Sequence, residues 1–191
     1  MADGSGLTIA VFSDASKSRD SDICGWAWSI PKFNLSAVGA IDGYTNTEAE
    51  IYAAVMGIQA ASEIPNVEVI NVGSDCHGVR AWINEIRRRV RKGGSRTSLK
   101  HASPNSGGHA FGRPELIKQL TELMERIDIR IQLVDSAGNP HHLACHTLAR
   151  KQIPRTGREV PPHVIASAVK ERQKCLERVA ELTRFIAENV K

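Results

Sequence analysis

The chain has 191 residues, 41% of them hydrophobic, and a formal net charge of +4. That apolar content supplies a core and excludes wholesale disorder, while the lack of any run of 18 apolar residues excludes a membrane-spanning helix. Four scattered cysteines (Cys24, Cys76, Cys145, Cys175) form no CxxC pair, which argues against a zinc knuckle or a disulfide framework.

From the N-terminus, "LTIAVFS" at 7–13 reads as a buried strand, and no basic-then-apolar secretory pattern precedes it. With the unpaired cysteines, this points to a reducing, cytoplasmic address. After a polar turn, Cys24 to Ile30 alternates as a second strand; Pro31 to Asn34 turns the chain, and Leu35 to Ile41 gives a third. Three strands on short turns predict an antiparallel meander. The period then changes. In "TNTEAEIYAAVMGIQAASEI", Ile51, Ala54, Val55, Ile58 and Ala61 share one helical face. Val67 to Val72 is a short strand, followed by Val79, Trp82, Ile83 and Ile86 at helical spacing. Residues 113–126 predict a further amphipathic helix, 127–134 a strand and 141–151 a helix. Trp26, Trp28 and Trp82 fit the apolar period of their elements and read as core.

Strands first joined by hairpins and then alternating with helices predict an α/β domain with a mixed sheet and helices packed on it. A proline-bearing linker follows at 153–162, then a helix from about His163, with Ile165, Val169, Leu176, Val179, Leu182, Ile186 and Val190 on its apolar stripe. The expected division is a domain at 1–152 and a linker with a helical extension at 153–191. Between the second and third predicted helices, "RRRVRKGGSRTSLKH" is strongly basic and opens a Gly/Ser/Pro/Asn-rich loop. With the net charge, it suggests a polyanionic partner.

Three acids share a topological position. Asp14 ends the first strand, Asp75 lies just past the fourth, and Glu50 sits near the start of the first helix. Singly, each has an ordinary reading: a turn residue, the N-cap of the next helix, a solvated helix acid. Together, if the first and fourth strands run parallel and adjacent, they meet at one sheet edge. Carboxylates meeting there repel one another, and a fold keeps them when a cation binds. Hard oxygen ligands favour Mg²⁺ or Mn²⁺, and two such ions can clamp the attacking and leaving oxygens of a phosphodiester.

"FSDAS", "TNTEAEIYAA", "VGSDCHGV" and "LACHTLARKQ" together resemble the type 1 ribonucleases H, in that family's element order over about residues 7–152. The resemblance implies a five-stranded mixed sheet flanked by helices and a metal-dependent endoribonuclease that hydrolyses the RNA strand of RNA–DNA hybrids with two divalent ions. It carries over Asp14, Glu50 and Asp75 as catalytic metal ligands; Glu48, not followed by "IYAA", does not match. The family's fourth acid precedes "xLAR", and here that position holds His146. An imidazole there can still ligate, and it suits Mn²⁺ better than Mg²⁺. The family's mobile-loop histidine would fall near Ser136 or Ala137. His141 and His142 come slightly later and are candidates for a proton shuttle. Asp135 reads as a strand-end turn. By the same resemblance, Ser16, Asn46 and His77 face the substrate, and Arg87, Arg88, Arg89 and Arg91, with Lys92, Arg96 and Lys100, form a basic handle for phosphates. Two other functions fit these residues: a nuclease of this fold acting on branched DNA or single-stranded RNA, and a hybrid-binding module without catalysis. The terminal helix offers a surface for a homodimer.

Overall fold

The computed structural model describes residues 6–19, 22–92, 113–153 and 177. The elements run β1 (Leu7–Lys17), β2 (Cys24–Ile30), a 3₁₀ turn (Pro31–Phe33), β3 (Leu35–Ile41), α1 (Asn46–Ser62), β4 (Val67–Ser74), α2 (His77–Arg91), α3 (Pro114–Met124), β5 (Asp128–Leu133) and α4 (Pro140–Lys151). The predicted order holds, with five strands in one sheet ordered β3-β2-β1-β4-β5. β1, β2 and β3 form the antiparallel meander; β4 pairs parallel with β1 and β5 parallel with β4.

Alternation along β1 divides the molecule. Ile9, Val11 and Ala15 point to one face, where Trp26, Trp28, Ile70 and Val72 join α1, α2 and α3 in the main core. Trp26, Trp28 and Trp82 are all buried there. The other face carries Phe12, Ala27 and Val38, and α4 covers it through Cys145, Leu148 and Ala149. Two glycines allow the helices to sit close. A Cβ on Gly57 of α1 would lie 2.6 Å from Val11 Cγ1, and one on Gly25 of β2 would overlap the Ala149 carbonyl oxygen of α4.

Local chemistry explains the helix starts. Thr45 caps α1 in a full capping box with Glu48. Pro140 opens α4, and the Asn139 side chain accepts hydrogen bonds from the His141 and His142 amides at 3.1 and 3.0 Å. Asp75 is not the N-cap of α2; Cys76 holds that position, and no side-chain cap bond is made. Asp135 is the expected turn residue, its side chain accepting from the Ala137 amide.

β1 runs longer than its apolar stretch. Asp14 to Lys17 continue in pairing with Ala27 to Cys24, because the edge facing β2 remains available after the apolar run ends. Asp14 is therefore inside the strand and not at its terminus. The parallel pairing with β4 stops two residues earlier, at Phe12 with Gly73. Beyond that point β1 and β4 are no longer paired.

The expected linker and C-terminal helix lie outside the described residues apart from Ile153 and Glu177, as do Arg96, Lys100 and the homodimer surface. Among the described residues no helix is long and apolar enough to cross a membrane.

Candidate active site

Asp14 projects from β1 onto the α4 face, and Asp75 follows the last residue of β4. The two carboxylates meet beyond the last paired residues of β1 and β4. α4 closes the site from above. On that helix His142, Cys145, His146 and Ala149 follow the i, i+3, i+4, i+7 rule and share one face. Cys145 and Ala149 are fully buried against the sheet, which presses the two histidines onto Asp14.

The contacts are specific. His146 Nδ1 lies 2.9 Å from Asp14 Oδ2. His142 Nε2 lies 3.6 Å from Asp14 Oδ1 and 3.5 Å from Asp75 Oδ1. Asp14, Asp75 and His142 each present one ligand atom, all within 4.8 Å of one another. His142 is fully buried and Asp14 nearly so, whereas the side chains of Asp75 and His146 are 35% and 40% exposed. One side of the cluster therefore lies in the protein and the other opens to solvent.

Glu50 reaches the same place from α1. It is only 3% exposed, and the nearby Ala15 backbone favours its charged form. Burial first, then the charges of Asp14 and Asp75, push its carboxyl well above the ordinary carboxylate range. Burial also raises Asp14, against the opposing pull of His142 and His146. Glu50 Oε2 and both ring nitrogens of His142 are buried without hydrogen-bond partners. Orphaned polar atoms and crowded carboxylates near one another form a ligand set that fits a divalent cation.

The other residues expected at the site lie around it or apart from it. Ser16 is half-buried and shares Asp14's face of β1. Asn46 opens α1 one turn before Glu50, and His77 opens α2 two residues after Asp75; both are exposed. His141 is exposed and rests against Phe12, with ring centroids 5.2 Å apart. Arg87 pairs with Asp128 at 3.0 Å, and Arg88 and Arg89 both pair with Glu85, at 2.7 and 2.6 Å; Arg91 is exposed on α2. The acid just upstream of the basic run thus engages two of its arginines. The central place of His142, expected only as a proton carrier, is the main departure from the sequence reading. Its signal was the shared helical face with Cys145, His146 and Ala149.

The family model described as RNase H matches residues 7–153. No curated protein matches the chain significantly. Among solved structures, the chain is similar to the N-terminal RNase H domain of Rv2228c from Mycobacterium tuberculosis, solved as a fusion with maltose binding protein. The identity is 15% and the TM-score 0.53, over 86% of this chain and 97% of that one. RNase H1 from the halophilic archaeon Halobacterium salinarum NRC-1 matches at 15% identity and a TM-score of 0.49, over 76% of this chain and 97% of that one. On the family match and the five-stranded architecture, the chain belongs to the RNase H family.

Proposed function

We propose that the protein is a metal-dependent endoribonuclease that hydrolyses the RNA strand of RNA–DNA hybrids. The observation that carries this reading is the convergence of Asp14, Asp75 and His142 at the sheet edge, with the buried Glu50 charge coupled to both aspartates.

Asp14, Glu50, Asp75 and a histidine of α4 would hold the divalent ions, Mg²⁺ or Mn²⁺. Bound there, two ions would supply an activated water and neutralise charge developing on the phosphate. The chain's own residues do the rest. His146 holds one oxygen of Asp14, which leaves the other facing Asp75 and His142. His146 stands where the family's fourth acid is expected, and its exposed ring lies on the solvent side of the cluster. Buried on one side and open on the other, the pocket admits a backbone phosphate while keeping bulk water from the inner carboxylates.

Ser16, near the end of β1, and Asn46 and His77, which open α1 and α2, would reach sugar hydroxyls, the groups that distinguish RNA from DNA. The arginines of α2 would grip the second strand. Their ion pairs with Glu85 and Asp128 do not prevent this. Such partly exposed pairs are worth about 0–1 kcal/mol, so a phosphate can displace the carboxylate at little cost.

The test is cleavage of labelled RNA–DNA hybrid, four-way DNA junction and single-stranded RNA by the full chain with Mg²⁺ or Mn²⁺. Cleavage confined to the RNA of the hybrid, and abolished in Asp14→Asn, is expected. Preference for the junction or the single strand would move the activity to another nucleic acid. Hybrid binding with no turnover under either metal would leave a binding module.

A further inference from the structure

His142 is a fully buried side chain whose two ring nitrogens have no hydrogen-bond partner. An unsatisfied buried polar group costs about 1–3 kcal/mol, so its retention needs a compensating interaction. Its Nε2 faces two carboxylate oxygens, at 3.6 Å on Asp14 and 3.5 Å on Asp75. These separations are too long for good hydrogen bonds. They match something else: two ligands each about 2.1 Å from a common ion, set at a tetrahedral angle, stand roughly 3.4 Å apart.

We infer that Asp14, Asp75 and His142 form a nitrogen-containing site for a borderline first-row dication, in which His142 and not His146 supplies the nitrogen. The inference rests on the reading of this pocket as a metal-binding nuclease site, and it gives the metal class and the ligand set. His146 then has a different task. Its Nδ1 lies 2.9 Å from Asp14 Oδ2, hydrogen-bond distance, with no space for an ion between them. It is a positioning residue that holds Asp14 so that Oδ1 turns toward Asp75 and His142. Imidazole with two carboxylates favours Mn²⁺, Co²⁺ or Zn²⁺, since affinity of such mixed sites rises along the first-row series. Mg²⁺ prefers oxygen donors and keeps its waters, so it gains little from His142.

The experiment uses the full chain without nucleic acid. Co²⁺ is titrated and followed by its visible d–d absorption, and Mn²⁺ is followed by the electron-spin-echo modulation that a directly bound nitrogen imposes. Wild type is expected to show nitrogen modulation from one imidazole and to bind Co²⁺ at least tenfold more tightly than Mg²⁺ in competition. His142→Gln is expected to lose the nitrogen signature and roughly tenfold or more in Co²⁺ affinity. His146→Ala is expected to keep the signature with weaker affinity. Absence of nitrogen modulation in wild-type protein, a result that needs no mutant to fold, would overturn the inference. So would a signature that survives His142→Gln and disappears in His146→Ala, or equal affinity for Mg²⁺. The nuclease reading fails separately. Hybrid cleavage with Mg²⁺ and no nitrogen ligation would remove this inference alone, whereas nitrogen-ligated Co²⁺ with no cleavage of any nucleic acid would remove the proposed activity alone.

Discussion

Glu50 is the residue at which function and stability pull hardest against each other. Its carboxyl is buried, one oxygen has no partner, and Asp14 and Asp75 add repulsion. A fold selected for stability alone would not keep an acid there. Glu50→Gln should therefore stabilise the metal-free protein by about 1–3 kcal/mol, the scale on which a poorly satisfied buried polar group counts. The same substitution should abolish hybrid cleavage. Denaturant unfolding in a chelating buffer, beside the cleavage assay, checks both; a destabilised Gln variant would show that the carboxylate is well accommodated without a cation. Cys145 shows the opposite kind of burial. Burial raises its thiol to about 11, so it serves as packing and a weak donor to the Ser29 hydroxyl and the Phe12 carbonyl, not as a nucleophile.

At the scale of elements, α4 decides the site, and Gly25 decides α4. A methyl group on Gly25 would overlap the Ala149 carbonyl, which is backbone and has no rotamer by which to move aside. Gly25→Ala should lift the C-terminal half of α4, cost about 1–3 kcal/mol and weaken Mn²⁺ binding as His146 withdraws from Asp14. Calorimetric titration of Mn²⁺ checks this; unchanged metal affinity would show that α4 does not complete the pocket. Asn139→Ala should cost about 1 kcal/mol through loss of the cap that anchors the His141 and His142 amides.

The elements also mark what could be read in advance. The meeting of Asp14 and Asp75 was legible because the element order sets β1 beside β4, although Asp14 lies inside β1 and not at its end. The extension of β1 to Lys17 was not, because "DASK" lacks the branched and aromatic residues that announce a strand, and only pairing with β2 keeps it extended. The position of His142 was half legible. Its spacing to Cys145 and Ala149 is written in the chain, but which face of α4 meets the sheet depends on Gly25 and Ala27, residues more than a hundred positions away.

For the whole molecule, the proposed nucleic-acid substrate makes charge the quantity to test. Arginines cluster in the last turn of α2, in a chain whose formal net charge is +4. Hybrid affinity should fall steeply with salt, and Arg91→Ala should reduce the slope of log K against log salt by roughly 0.9 for each phosphate it no longer neutralises. Glu85→Gln should release Arg88 and Arg89 and tighten binding about twofold, in keeping with exposed pairs of roughly 0.3–0.5 kcal/mol. Fluorescence anisotropy across a salt series checks both; a flat salt response would place the nucleic acid elsewhere.

Asp14, Asp75 and His142 converge where the β1–β4 pairing ends, with the charge of Glu50 felt by both aspartates, and the most direct measurement of what that convergence does is thermal unfolding with and without Mn²⁺, for wild type and Asp14→Asn. At about 100 times Kd, a ligand bound only by the folded state adds about 2.7 kcal/mol, roughly 5–10 °C for a domain of this size. Wild type should gain that shift and Asp14→Asn should gain almost none, whereas equal shifts in the two proteins would contradict a cation site at these carboxylates.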